Sequence, residues 1–192
     1  MRSFSHDKER EILAPKMKSK TFVLSIMLLV LITNVSFARS IVRVSDYGCD
    51  GFYYRYNEIA QSMGKSNMII KKMPQKTFSN DNYDTFICTN GSSGHETTIS
   101  LFANKEGYVS KVMIAGDAGD SVAMNNLGEN FVLILATLGV NKGEMNNFLN
   151  SWKNSDSAEI RHWCNAGGRF ILISRNMNYD YNTFSATFTA AA

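Results

Sequence analysis

His162 and Cys164 stand two residues apart in a strand-like run, so they share one face of an extended segment. An imidazole beside a thiol suits a nucleophilic pair or part of a metal site. A closed metal site needs more ligands, and neither Cys-x-x-Cys nor His-x-x-x-His occurs in the chain. A disulfide beside a surface histidine is the simpler reading. His95 sits next to Glu96 in a Gly/Ser-rich stretch and reads as a solvated loop residue. Asp117 and Asp120, in Gly116-Asp-Ala-Gly-Asp120, precede a helix and could gather an ion there. That turn lacks the lysine of a phosphate loop and the acidic spacing of a calcium loop, and a capping aspartate explains it fully. No Gly-x-Ser-x-Gly elbow and no meaningfully spaced acid pair is present. No catalytic residue, metal site or cofactor is assigned.

The remaining candidate is a surface. Tyr47, Tyr53, Tyr54 and Tyr56 crowd around Cys49, and aromatic rings with polar tips serve recognition well. The competing reading puts Phe52 and Tyr56 in the core and leaves Tyr53 and Tyr54 on a helix flank. Asparagine is abundant but scattered and reads as compositional bias; Asn90-Gly-Ser is formally a glycosylation acceptor.

These residues must be positioned by helices and strands. Asp120 to Val140 forms the spine: Leu127, Phe131, Ile134, Leu135 and Leu138 recur at three and four, with Asp120 or Ser121 as cap and Gly139 as stop. Its apolar run is too short to span a bilayer. A helix is also expected from about Asp50 to Met63, with Phe52, Tyr56, Ile59, Ala60 and Met63 as core face, and another from Asn141 or Lys142 around Met145, Phe148, Leu149 and Trp152. Ser40–Ser45 is expected as a short strand or an extended lead-in, and strands are expected at Asn67–Met73, Asp84–Thr89, Thr97–Ala103, Tyr108–Ala115, Ala158–Cys164, Arg169–Ser174 and Thr183–Thr189, with loops at Gln75–Tyr83 and Asn176–Asn182. Strands come in runs joined by hairpins. That predicts an α+β fold, an antiparallel sheet built from hairpins with two or three helices packed on one face.

The N-terminus reads as an address. Residues 17–38 form a secretory signal peptide: Lys18 and Lys20, an apolar run from Phe22 to Ile32, and small residues at the exit, with cleavage expected after Ala38. Residues 1–16 precede it as a non-native or disordered extension, and 39–192 form a single domain. Of 20 Lys and Arg residues, 6 precede Arg39, and of 17 Asp and Glu residues, 3 do, which leaves 14 of each in a neutral mature chain. Nucleic acid is therefore a poor partner, and the membrane enters only through the signal before cleavage. Export favours a disulfide between two of Cys49, Cys88 and Cys164, and spacing does not choose the pair.

The expectation is an exported protein, bacterial and periplasmic or secreted, that acts as a non-enzymatic interaction module: an inhibitor, an immunity-type binder or an envelope accessory, with another protein as partner. The alternatives are a small envelope hydrolase using His162 and Cys164 or Asp117 and Asp120, and a small-ligand protein with a pocket between helix and sheet under Phe131 and Leu135.

Overall fold

A computed structural model describes residues 42–153 and 159–190, without the side chains of 152 and 153. The expected extension at 1–16 and signal at 17–38 lie outside the described residues. The elements in chain order are α1 (Cys49–Ser62), a 3₁₀ turn (Ser66–Met68), β1 (Gln75–Ser79), β2 (Tyr83–Asn90), β3 (Thr97–Asn104), β4 (Val109–Asp117), α2 (Ser121–Thr137), α3 (Lys142–Lys153), β5 (Glu159–Ala166), β6 (Arg169–Asn178) and β7 (Thr183–Ala190). The seven strands form one sheet in the order β1-β2-β3-β4-β7-β6-β5, and every pair is antiparallel. The fold is α+β. Two meanders meet at β4 and β7: the α2–α3 pair carries the chain to the far edge, and two hairpins bring it back to the centre.

Strand alternation divides the sheet into two faces. Leu101, Val112, Phe188, Ile173 and His162 lie in register across β3, β4, β7, β6 and β5. Ile99, Ile114, Ala186, Arg175 and Ile160 form the next row on the same face. The helices cover this face. Leu127, Phe131, Ile134 and Leu135 of α2 are buried as their spacing requires. The Phe131 ring stacks on Phe148 at 5.2 Å and meets Phe188 at 5.1 Å, so aromatic rings fill the space where a ligand pocket was considered. Asp120 Oδ1 accepts the Val122 and Ala123 amides at 2.8 Å each, and Gly139 ends the helical run with φ +86°.

Val42–Ser45 is a lead-in and no strand, with the Val44 amide donating to Val109 O at 2.9 Å. Three stretches differ from expectation. Asn67–Met73 contains no strand. Instead Asn57 takes the place of a neighbouring strand: its Nδ2 donates to Ile70 O at 3.0 Å, and its Oδ1 accepts the Ile70 amide at 2.9 Å. Gln75–Ser79, expected as loop, is the edge strand β1, and β6 runs on to Asn178.

Candidate functional site

The four tyrosines separate. Tyr47 and Tyr54 are 45% and 62% exposed. Tyr53 is half-buried and meets Tyr54 edge-on at 5.1 Å. Tyr56 does not belong to a surface: it is fully buried, one helical turn beyond Phe52 on the core face of α1. Its hydroxyl donates to Asn130 Oδ1 at 2.6 Å and accepts from Asn90 Nδ2 at 2.8 Å. Burial pushes the phenol well above its ordinary acidity range, with Asn90 acting weakly against it. Asn90 Nδ2 also donates to Met68 O at 2.6 Å and to Asn130 Oδ1 at 2.8 Å. A glycan on that nitrogen is incompatible with this packing, so the Asn90-Gly-Ser sequence is no acceptor in the folded chain.

His162 and Cys164 do share a face, the one that the helices cover. The imidazole packs on Phe148 at 4.9 Å between ring centroids. Cys164 is buried, and burial, with Glu144 adding to it, pushes its thiol up to about 11. The same cause raises Cys49 and Cys88 to about 12. A thiol so protonated is a poor nucleophile at neutral pH. All three cysteines are free.

Asp117 and Asp120 are occupied by the turn that holds them. Asp117 Oδ1 accepts the Gly119 amide at 2.7 Å, and Asp120 caps α2. The Ala123 amide leads the interactions that hold the Asp120 carboxyl below its ordinary range. His95, expected in solvent, lies with Nδ1 3.0 Å from Asp120 Oδ2, at ion-pair distance but off the line of a good hydrogen bond. Asn126 Nδ2 donates to His95 O at 2.9 Å and fastens this loop to α2. Among the described residues no group of three His, Cys, Asp or Glu side chains could hold a metal ion.

The surface that sequence reasoning missed is the other face of the sheet. No described helix packs there. Trp163, Leu172, Thr189, Lys111 and Phe102 lie in register across β5, β6, β7, β4 and β3. Trp163 is 56% exposed, and its diagonal neighbour Phe170 is 64% exposed. The Lys111 ammonium sits 4.7 Å from the centre of the Phe102 ring. Comparison with family models, with curated proteins and with solved structures returns no match. Any role proposed for this face therefore rests on its own chemistry. Alternation was the available signal: if His162 and Cys164 point to the helices, Trp163 must point away.

Proposed function

We infer that this is an exported, non-enzymatic interaction module whose partner is another protein, held against the uncovered face of the sheet. The observation that carries this reading is the pair Trp163 and Phe170, two large aromatic side chains more than half exposed and diagonal to each other. Aromatic residues with few charges around them mark the cores of protein interfaces. Around them on the same face lie Arg161 and Asn165 on β5, Leu172 and Ser174 on β6, and Thr187 and Thr189 on β7. Arg161 is paired with Glu159 at 2.8 Å, whereas Lys111 has no carboxylate partner among the described residues. The partner chemistry that fits is an apolar ridge over Trp163 and Phe170 with an acidic side chain opposite Lys111. The neutral charge of residues 39–192 agrees with a protein partner better than with nucleic acid.

A photo-crosslinking residue at position 170, used in living cells, identifies the partner, and titration of the two purified proteins tests it. Trp163→Ala and Phe170→Ala are each expected to weaken binding by about ten-fold or more, with Tyr54→Ala unchanged. Unaltered affinity in both sheet variants refutes this docking face. Export has its own test: the N-terminus of native protein recovered from the envelope fraction is expected at Arg39, and an intact N-terminus in the cytosol refutes the address.

A further inference from the structure

The uncovered face of the sheet carries a second aromatic group, on the side away from Trp163 and Phe170. Phe78 on β1, Thr85 on β2 and Phe102 on β3 lie in register there. Phe78 is 53% exposed and meets the Tyr83 ring at 6.3 Å, and Tyr83 meets Phe102 edge-on at 5.5 Å. Between the two aromatic groups the side chains are short. Ser185, Thr187 and Thr189 of β7 alternate onto this face, with Ala115 of β4 and Ser174 of β6 beside them. Side chains stand roughly perpendicular to a sheet, so short residues between rings make a trough whose floor is β7. We propose that this trough seats one amphipathic α-helix of the partner protein, lying along β7. The inference deepens the docking reading and rests on it.

The first argument is size. Phe102 on β3 and Trp163 on β5 are four strand spacings apart, about 19 Å at 4.8 Å each. A helix with its side chains is about 10–12 Å across, so one helix fits between the rings and two do not. A second sheet would ride on the rings and leave the floor empty. The eight residues of β7 run about 26 Å, which about 17 helical residues match.

The second argument is the backbone. An extended peptide laid on a sheet face leaves its amides and carbonyls without ladder partners, whereas a helix satisfies its own. The third is charge. The Lys111 ammonium stands 4.7 Å from the centre of the Phe102 ring, at one wall of the trough, with no carboxylate partner among the described residues. The helix therefore carries an Asp or Glu on the flank that meets Lys111, apolar side chains toward the two aromatic groups, and small residues toward the floor.

The test places a photo-crosslinking residue at position 102 and, separately, at position 170. Both are expected to capture the same protein, through one segment of about 17 residues with attachment points three or four residues apart. That segment, made as a synthetic peptide, is expected to gain a helical circular-dichroism signal when titrated with this protein. Thr187→Trp, which fills the floor from a half-buried position on the uncovered face, is expected to weaken peptide binding at least a hundred-fold; Phe102→Ala and Lys111→Glu are each expected to weaken it at least ten-fold. All three are expected to keep the parent thermal unfolding. Capture at 170 but not at 102, a bound peptide without helical signal, or full affinity in both Thr187→Trp and Phe102→Ala overturns the seated helix while leaving a partner at Trp163 and Phe170. No capture at either position overturns both readings.

Discussion

Removing the Tyr56 hydroxyl is the sharpest probe of what joins the helices to the sheet. That oxygen links α1 to Asn130 on α2 and to Asn90 at the end of β2, 74 and 34 residues away. Tyr56→Phe deletes two buried hydrogen bonds but strands neither partner. Asn130 Oδ1 keeps the Asn90 amide at 2.8 Å, and Asn90 Nδ2 keeps Met68 O at 2.6 Å. At about 1 kcal/mol per bond the loss is about 2 kcal/mol, or a fall in Tm of about 4–8 °C for a domain of this size. Asn130→Ala is worse. It leaves the Tyr56 proton without an acceptor in a site closed to water, and it removes the donor to Asn126 O at 2.9 Å. The expected cost is about 4 kcal/mol. The double variant has no orphaned proton, so its cost should fall short of the sum by about 1 kcal/mol. Urea unfolding with an unchanged m-value measures all three. A Tyr56→Phe cost below about 0.5 kcal/mol, or strict additivity, refutes the cluster as a cooperative unit.

Two glycines are expected to respond with opposite signs. A Cβ at Gly128, inside α2, meets nothing within 4 Å, so Gly128→Ala should stabilise by about 0.5–1 kcal/mol. Gly139 has φ +86°, and Gly139→Ala should destabilise by about 1–2 kcal/mol in the same unfolding assay; equal effects would refute the backbone argument. The thiols set the alkaline limit. Their folded pKa values, about 12 for Cys49 and Cys88 and about 11 for Cys164, lie above the ordinary 9.0, so the stability they contribute is complete below pH 9 and is lost as pH rises through the folded values. Native protein should react with a thiol reagent about a hundred-fold slower than unfolded protein, and rapid native labelling refutes their burial. Cys88 and Cys164 lie on strands five positions apart, about 24 Å at 4.8 Å per strand, so an intramolecular bridge joining them in a peptide map would refute the strand order.

Much of the fold is legible because the residues that decide it are close in sequence. The β3–β4 and β5–β6 hairpins show alternation and tight turns, and α2 shows its period and its cap. β1 is illegible for a physical reason: every side chain of Gln75–Ser79 is exposed, so no alternation marks it. The tyrosine group misled at Tyr56 because a polar tip suggests solvent, while its partner Asn130 is far away in the chain. The asparagines misled most. Read as compositional bias, they turn out to do local work. Asn104 accepts the Tyr108 amide, Asn141 that of Glu144 and Asn165 that of Gly168, while Asn57 braces Ile70. Short side chains that bond nearby backbone build turns, and this many turns need this many asparagines. The sheet-face candidate was readable from alternation alone. The Asn90 cluster was not, because its partners Tyr56 and Asn130 stand 34 and 40 residues away in the chain.

Both edges of the sheet carry features that discourage extension. On one side β1 is short, breaks register between Lys76 and Phe78, and carries Lys76 paired to Asp84 at 2.8 Å. On the other, Glu144 Oε2 accepts the outward Asn165 amide at 3.2 Å, and Val140 bridges to Ala166. A blunted edge discourages strand addition, so a partner on the open face, as proposed, would meet side chains and not pair with backbone. Glu144 is the point of attack. Glu144→Ala bares the Asn165 amide on β5 next to exposed Trp163, and an unpaired donor beside an aromatic side chain invites a second chain. The variant is expected to associate as its concentration rises in sedimentation velocity, and Glu144→Gln, which keeps an acceptor oxygen, is expected to behave as the parent protein. If Glu144→Ala sediments like the parent at every concentration, the carboxylate is not what protects this edge.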